Sequence, residues 1–475
     1  MLFNSFHFIL FFILVTTSYF LLPHKFRWLL LLAASCYFYM VFVPVYILIL
    51  GFTIFIDYFA GIFLEKNSGS KRKYFLIASL IANIGVLAVF KYYNFFTENI
   101  ARFLDSLGYR TSLPRLGILL PIGLSFHTFQ AMSYTIEVFR GNQKAERNFG
   151  IYALYVMFYP QLVAGPIERP QNLIHQFKEK HPFEYKRITE GLKLMLWGFF
   201  MKVVIADRLA IFVNDVYNNP MNYNGKTLAL ATVFFSFQIY CDFAGYSNIA
   251  IGVAKVMGIN LMTNFNRPYF SKGISEFWKR WHISLSTWFR DYFYIPLGGN
   301  RVRVSRIYLN LLLVFLVSGL WHGANWTFIV WGLINGLYLL IGKSSEGIWN
   351  RILKKTLPNI LIGPLAGIRI IITFLLASFA WIFFRANSLG DALNITSRIC
   401  QFSGSLIIGK SQLVIALSGI IFLIIVEFFN EYHQGGPLPF KTNHWLKEQI
   451  CYSLLLISIL FFGEFSGSRF IYFQF

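Results

Sequence analysis

An all-α fold that crosses a membrane many times is predicted by the composition, the length of the apolar runs and the placement of basic residues. The chain has 475 residues, of which 56% are hydrophobic, 19% aromatic and only 13% charged. Soluble globular domains carry about twice that share of charged residues, so the composition excludes this class. A helix needs about 20 mostly apolar residues to cross a hydrocarbon core of about 30 Å, and several runs provide them. The sequence therefore predicts a polytopic helical membrane protein.

About eleven transmembrane helices are predicted from the apolar runs. Their approximate bounds are 6–22, 28–44, 46–64, 74–92, 115–138, 188–206, 227–256, 307–341, 363–384, 411–428 and 449–463. The first run has no basic segment before it and no small-residue cleavage site after it. We therefore expect it to remain as a span and not to be removed as a signal peptide.

Basic residues in alternate loops predict the orientation. The loops after the first, third and fifth spans hold Lys25 and Arg27, then Lys66, Lys71, Arg72 and Lys73, then Arg140, Lys144 and Arg147. Loops of this kind stay in the cytoplasm, which puts the N-terminus and the mixed-charge loop 93–114 on the outer side. We expect both termini to be periplasmic. The formal net charge of +21 mostly records these basic loops, and it would also attract an anionic substrate or donor.

The run 152–164 is predicted to be a re-entrant segment that enters and leaves on the inner face. It is short, it contains Pro160, and the residues after it are basic at Arg169, Lys178, Lys180, Lys186 and Arg187. Irregular backbone at membrane depth is tolerated only where protein buries it or water lines it. An amphipathic helix at the membrane interface explains the pattern equally well.

The predicted span 227–256 carries polar side chains among apolar ones. Gln238 and Asp242 are four residues apart, so they share one face of a helix. An aspartate at membrane depth needs a partner. Two interpretations fit: a structural network that joins helices, and a supporting role beside a substrate tunnel.

The segment 264–306 is rich in charged and aromatic residues. Apolar side chains recur at helical spacing, and basic ones lie between them: Trp278, Trp281, Leu285 and Trp288, with Lys279, Arg280 and Arg290. This pattern is typical of a helix in the membrane interface with its basic side on the headgroups. Polar groups at Arg280 and His282 gather toward one end, and the stretch 296–300 ends the pattern. Basic residues on both sides predict a second cytoplasmic re-entrant element.

The most unusual stretch is Trp321-His322-Gly323-Ala324-Asn325-Trp326, inside the apolar run 307–341. An ionisable residue at membrane depth is a functional candidate by default, although a histidine that only packs against a neighbouring helix also fits. Basic residues flank the run at Arg301, Arg303 and Arg306 before it and at Lys343, Arg351, Lys354 and Lys355 after it. Equal basicity at both ends favours two shorter segments folded about 319–325, with His322 near mid-membrane at the end of a pocket.

His282 and His322 are the candidate catalytic residues. A histidine exchanges a proton near neutral pH, so a buried imidazole can activate an alcohol for attack on an acyl group. Asn325 or a backbone N–H can stabilise the oxyanion. The sequence has no GxSxG elbow, and its cysteines, Cys36, Cys241, Cys400 and Cys451, form no CxxC pair. Direct transfer from a thioester to a hydroxyl is favoured, a histidine-borne acyl relay stays open, and no metal site is predicted.

Long motifs around these residues resemble the membrane-bound O-acyltransferase family, and in particular its alginate O-acetyltransferase membrane subunits. They are RWHISLSTWFRDYFYIPLGGN, SGLWHGANWTFIVWG and the closing FIYFQF, with PIGLSFHTFQAMSYTIEVFRG and FYPQLVAGPIERP upstream. The resemblance covers nearly the whole chain. It implies one transmembrane domain over residues 1–475, with a catalytic core at about 115–341 and helices around a central tunnel.

The resemblance also implies roles for residues and partners. His322 matches the histidine of the family's WHG motif, and His282 matches that of its RWH motif. Trp321, Asn325, Asp242, Gln238 and Arg280 are candidates for support or for lining the tunnel. The implied donor is cytoplasmic acetyl-CoA, and the implied acceptor is a glycan or a periplasmic SGNH-like acetyltransferase. The implied location is the bacterial inner membrane.

Other functions remain open from the sequence. The acceptor can be alginate, peptidoglycan or another cell-surface glycan, and D-alanyl transfer to teichoic acid is a related activity. A proton-coupled transporter is the alternative class, because Asp242 and His322 could form a proton relay and broken helices are common in transporters. Against a transporter, the chain shows no paired halves with matching interrupted spans.

We predict that the loops at 66–73 and 140–147 face the cytoplasm. Single cysteines at positions 70 and 144, in a chain whose four native cysteines are replaced, should resist an impermeant thiol reagent applied to intact cells. Both should react after the membrane is permeabilised. Labelling of position 70 from outside would refute this orientation.

Overall fold

The computed structural model describes residues 1–109, 113–117, 121–355, 362–434, 438–440, 444–465 and 470–471, with the backbone alone at 345–355, 362–363 and 434. Within these ranges the chain is helical and contains no β-strand, which confirms the predicted all-α class. Some predicted features lie outside the described residues. They are Arg110, the side chains of Arg351, Lys354 and Lys355, and residues 472–475 of the closing motif.

Twenty α-helices are described in this part of the chain. They are α1 Phe6–Leu21, α2 His24–Met40, α3 Ile47–Lys66, α4 Ser70–Leu87, α5 Tyr93–Ser106, α6 Leu124–Arg140, α7 Phe149–Met157, α8 Tyr159–Leu162, α9 Pro170–Leu173, α10 Tyr185–Phe199, α11 Asp207–Asn218, α12 Gly225–Val256, α13 Ile274–Arg280, α14 Ile283–Phe289, α15 Val304–His322, α16 Trp326–Lys355, α17 Ile362–Arg385, α18 Leu389–Gln401, α19 Lys410–Phe429 and α20 Trp445–Phe462. Wider π-helical turns occupy Ala88–Tyr92, Phe200–Ala206, Arg290–Tyr294 and Asn430–Gln434. Tight 3₁₀ turns occupy Pro44–Tyr46, His175–Lys178, Pro220–Asn222 and Pro268–Phe270.

Eight helical stretches of the described chain are long and apolar enough to cross a membrane. They are Pro44–Lys66, Ser70–Ser106, Gly225–Val256, Val304–His322, Trp326–Ser344, Pro364–Arg385, Lys410–His433 and Trp445–Phe462. α1 is apolar but shorter. The predicted multi-span architecture is therefore present, while the count of about eleven is not confirmed.

The apolar run 307–341 forms two helices, as its flanking charges predict. α15 ends at His322, and α16 begins at Trp326. The Thr327 backbone N–H donates to Asn325 Oδ1 at 3.1 Å, so Asn325 caps the new helix. Each of the two helices is long enough to span, so this element is a helical hairpin and not one tilted helix.

Glycines let α15 and α16 pack with their backbones almost in contact. A methyl group added at Gly319 would lie 2.2 Å from the Phe328 carbonyl oxygen, and one added at Gly332 would lie 2.3 Å from that of Phe315. Small residues permit such close approach between membrane helices. The contact fixes the position of His322 at the end of α15.

The run 152–164 consists of two short helices, α7 and α8, interrupted at Phe158. Every residue from 151 to 168 is buried. A helix at the membrane interface would leave one face exposed. The structure therefore does not contain the amphipathic interfacial helix that the sequence also allowed. Burial on all sides is what irregular backbone within a membrane protein requires.

The single interfacial helix suggested by the tryptophan spacing in 264–306 is not formed. α13 ends at Arg280 and α14 starts at Ile283, and between them His282 has a left-handed backbone (φ 43°). The predicted end of the pattern at 296–300 is present, since Gly298 and Gly299 both have positive φ (105° and 54°), which glycine adopts without strain. The tryptophans therefore sit on two separate short helices.

The described chain divides into two compact units. Among the described residues, the first comprises those in 1–195 and 249–262, and the second those in 196–248 and 263–471. Both candidate catalytic histidines belong to the second unit. The single domain and the catalytic core at 115–341 stay predictions.

We predict that Gly332→Ala destabilises the protein, because the added methyl group would have to push against a backbone carbonyl. Overpacking of this kind costs about 1–3 kcal/mol. Gly367→Ala in α17 is the matched control, since nothing lies within 4 Å of its added methyl group. Thermal unfolding in detergent should show a lower midpoint for the first variant alone. An unchanged midpoint for Gly332→Ala would contradict the close packing of this hairpin.

Candidate active site

A cavity of about 1000 Å³ lies within the second unit, and both candidate histidines line it. Its wall is built from α13, α14, α15, α16 and α17. Four residues of α15 spaced by four, three and four positions contribute to it: Leu311, Phe315, Ser318 and His322. This spacing puts them on one face of the helix, so α15 presents His322 as the last residue of a continuous cavity-facing stripe.

His322 is held between aromatic rings. Its ring centre lies 5.1 Å from that of Trp331 in an edge-on arrangement and 5.4 Å from that of Phe384. The side chain is buried, with 8% of its surface exposed. The sequence prediction of an imidazole at the end of a pocket is therefore matched by its position at the end of α15 and in the cavity wall.

His282 is held by a short pairing of two chain segments. The Asn266 N–H donates to Arg280 O, and the Ile283 N–H donates to Asn264 O, both at 2.9 Å. The ring Nδ1 lies 3.1 Å from Asn264 Oδ1, and the Phe243 ring meets it edge-on with centres 4.6 Å apart. Because both ends of this turn are fixed, the strained backbone at His282 is held and its imidazole has a defined place.

Burial disfavours the protonated form of the His282 ring. Burial lowers the pKa of the His282 imidazole well below its usual value, and the positive charge of a protonated His322 lowers it further. His282 is therefore neutral around neutral pH.

A row of aromatic side chains connects the surroundings of the two histidines. The ring centre of Trp281, next to His282, lies 5.0 Å from that of Trp381, and the ring centre of Trp381 lies 5.8 Å from that of Trp331. Trp331 in turn contacts His322. Trp281 also lines the cavity, and with Trp278, Phe289 and Phe315 it gives the cavity an aromatic wall.

The charged residues that line the rest of the cavity are mostly basic. The lining contains one carboxylate, Glu276, and five cations: Lys272, Lys279, Arg290, Lys343 and Arg369. That carboxylate is already bound by Arg280 at 2.6 Å. The cavity therefore combines an excess of positive charge with two imidazoles and suits an anionic ligand that carries a reactive group.

The other predicted site residues lie around the cavity and do not line it. Asn325 donates to Asn387 O at 3.2 Å besides capping α16, and Trp321 is half-buried on the last turn of α15. Arg280 pairs with Glu276 and, at 2.8 Å, with Glu431. Their roles in catalysis stay predictions.

Asp242 is paired with Lys202, a partner that the sequence analysis did not identify. Lys202 Nζ lies 2.6 Å from Asp242 and 2.7 Å from Asp207, and all three side chains are buried. Asp242 Oδ2 also accepts the Ile471 backbone N–H at 2.7 Å. Gln238 is buried one turn earlier on α12. This cluster is the structural network foreseen as one of two interpretations, and Lys202, five residues before an aspartate in an apolar run, was its signal.

A second missed residue is Asn264, which contacts His282 directly. Nothing in its sequence position marks it, since it lies 18 residues before the histidine. Among the described residues, no three His, Cys, Asp or Glu side chains are grouped so as to hold a metal ion.

The family model for the membrane-bound O-acyltransferases matches residues 126–382 of this chain, a range that includes both histidines. A probable alginate O-acetylase, AlgI, of Pseudomonas aeruginosa is 40% identical over 390 residues, which cover 81% of this chain and 72% of the relative. A peptidoglycan O-acetyltransferase of Helicobacter pylori is 33% identical over 94% of this chain and 91% of the relative.

A more partial likeness is to a teichoic acid D-alanyltransferase of Bacillus subtilis, 31% identical over 48% of this chain and 60% of the relative. The first two relatives share most of their length with this chain, and the family model covers more than half of it. The spanning helices agree with the membrane location of such enzymes. The chain is therefore a multi-pass membrane protein that belongs to the membrane-bound O-acyltransferase family, and it is an O-acyltransferase.

Proposed function

We propose that this enzyme moves acetyl groups from cytoplasmic acetyl-CoA across the bacterial inner membrane for O-acetylation of an exported, alginate-like polysaccharide. One observation carries the proposal: a single cavity combines five lining cations with two histidines. The similarity to a probable alginate O-acetylase over most of both chains supports the choice of group and acceptor.

The basic part of the cavity suits the donor. Coenzyme A carries several phosphate charges at one end and its thioester at the other. Lysine and arginine side chains bind phosphates by charge and by hydrogen bonds. With its phosphates near Arg290, Lys343 or Arg369, the donor would direct its acyl end toward the aromatic wall and the histidines. The basic residues of the loops support an entrance on the cytoplasmic side.

The histidine pair suits the chemistry. In the proposed step His322 takes the proton of the acceptor hydroxyl, whose oxygen attacks the thioester carbonyl carbon. The tetrahedral intermediate then expels the thiolate as the C–S bond breaks, and the proton passes from His322 to sulfur. The ester and free coenzyme A are the products. In the relay variant, a nitrogen of His322 attacks the thioester carbonyl carbon, the C–S bond breaks and coenzyme A leaves as the thiol. The acceptor hydroxyl then attacks the acyl-imidazole, which forms the ester and releases His322.

The proposed acceptor and partner are inferred from the relatives. The peptidoglycan O-acetyltransferase matches nearly the whole chain, so peptidoglycan or another cell-surface glycan is the second candidate acceptor. D-alanyl transfer to teichoic acid is less favoured, because that likeness covers about half of this chain. We also propose that a periplasmic SGNH-like acetyltransferase receives the acetyl group, and that both termini of this chain face the periplasm.

A proton-coupled transporter is the competing class. Its proton relay would need Asp242 and His322 to communicate, yet Asp242 is bound by Lys202 and a backbone N–H and does not line the cavity with His322. Purified protein that cleaves acetyl-CoA supports the enzyme. Proton-coupled uptake without acyl turnover would support the transporter.

We predict that His322→Ala and His322→Asn both lose coenzyme A release from acetyl-CoA by about 10²–10⁴-fold, the usual contribution of a general acid–base group. The purified enzyme would be assayed with a thiol reagent, per amount of folded protein. His175→Ala is the matched control, because that histidine is exposed and pairs only with Glu179 and Gln171 O. Wild-type release by His322→Ala would exclude it as the base.

We predict a different effect for His282→Ala. Its neutral ring lines the same cavity as Lys279 and Arg290, two of the cations proposed to attract the donor. The variant should lose activity partly through a raised KM for acetyl-CoA, whereas His322→Ala should act on kcat. If turnover and KM both match the wild type after correction for yield, His282 has no place in the site.

A further inference from the structure

We propose that Asn264 is a positioning residue that sets the protonation state of the His282 ring, with the proton on Nδ1 and the lone pair at Nε2. The proposal rests on the acyl-transfer function above. In this proposal the buried Asn264 amide keeps Nε2 of His282 unprotonated, so that this nitrogen can accept a proton or a hydrogen bond.

The orientation of the Asn264 amide follows from its neighbours. The Ser284 backbone N–H lies 3.2 Å from Asn264 Oδ1, and a backbone N–H can only donate. That atom is therefore the amide oxygen, which removes the usual ambiguity between oxygen and nitrogen. The Ser284 hydroxyl donates to the same oxygen at 2.8 Å, and Asn264 Nδ2 donates to Ser247 Oγ at 3.1 Å.

The state of the imidazole follows from the amide. An amide oxygen only accepts, so His282 Nδ1, at 3.1 Å from it, must carry the proton of this hydrogen bond. A neutral imidazole has one proton, which leaves the lone pair on Nε2. The opposite tautomer would set a lone pair against an oxygen that has two other donors.

The lone pair also has a direction. Asn264 and Ser284, which hold the Nδ1 edge of the ring, do not line the cavity, whereas His282 does. In this proposal the Nε2 edge is therefore the one that faces the cavity. The Asn264 side chain is fully buried, and its backbone carbonyl accepts the Ile283 N–H at 2.9 Å, so neither the amide nor the turn can move away from the ring.

This arrangement gives the two histidines separate tasks. His282 stays neutral with an accepting nitrogen, and the mobile proton of the reaction belongs to His322. An acceptor hydroxyl or a protonated His322 can then donate to His282 Nε2 without a competing proton. Replacing the amide by a carboxylate keeps the acceptor but adds a negative charge, which stabilises the protonated ring.

The direct test measures the protonation of His282 without acyl turnover. Diethyl pyrocarbonate acylates an unprotonated ring nitrogen and releases ethanol and carbon dioxide. Its reaction at position 282 would be followed by peptide mass spectrometry from pH 4.5 to 9 in full-length His322→Ala protein. Adding Asn264→Asp should move the midpoint of reactivity upward by about one pH unit or more. An unmoved midpoint in folded protein would overturn the proposal.

The second test measures turnover in enzyme that retains His322. Asn264→Asp should keep turnover at high pH and lose it on the acid side at a higher pH than the wild type. Asn264→Leu, which removes the acceptor, should lower kcat by at least about 10-fold, at the low end of the range for losing a base. A merely structural amide would lower folded yield in both variants and leave the pH profile of the Asp variant in place.

Controls separate this proposal from the proposed function. Asn310→Asp makes the same change at another fully buried asparagine, which donates to Leu297 O, and should leave the midpoint at position 282 unmoved. If Asn264→Asp does not accumulate, Ser247→Ala loosens the amide through Nδ2 and should lower kcat several-fold at equal yield. Wild-type kcat in Ser247→Ala would then overturn the proposal. Reactivity that behaves as expected in a protein without acyl turnover would instead leave the positioning role standing and refute only the proposed function.

Discussion

The need to satisfy polar groups inside a largely apolar chain governs this structure. A polar group that is buried without a partner costs several kcal/mol in hydrocarbon, so each buried one must be matched locally. Asp242 is matched by Lys202 and a backbone N–H, and the broken backbone of α7 and α8 is buried on all sides. At the candidate active site, the Asn264 side chain forms hydrogen bonds with both His282 and Ser284.

The candidate active site depends on two breaks in helical structure. Gly323 and Asn325 separate α15 from α16, and the glycine contacts of that hairpin hold His322 at a helix end. The left-handed backbone at His282 separates α13 from α14. Both histidines therefore lie where the helices end, and the cavity is lined by aromatic side chains and by five cations. Such a site can hold an anionic donor and keep water from its reacting end.

The sequence was informative where a pattern is local. Apolar length predicted the all-α class, equal basicity at both ends of the run 307–341 predicted two helices in place of one, and the two histidines were identified from their tryptophan-flanked motifs. It failed where partners are distant in the chain: Lys202 with Asp242 and Asn264 with His282 are side-chain pairs that no spacing reveals. The tryptophan periodicity of 278–288 suggested one helix, because periodicity cannot show that a turn at His282 interrupts it. The count of about eleven spans is not confirmed, since eight helical stretches of the described residues are long and apolar enough to cross a membrane.

We propose that this chain supplies acetyl groups to an exported glycan through the cavity of His322. The most direct measurement is the acetyl content of the cell-surface glycans in a strain that lacks this chain, complemented by the wild type or by His322→Ala at equal membrane levels. The account predicts that O-acetyl esters of one glycan disappear in the deletion strain, return with the wild type and stay absent with the variant. Unchanged acetylation of every surface glycan in the deletion strain would contradict it.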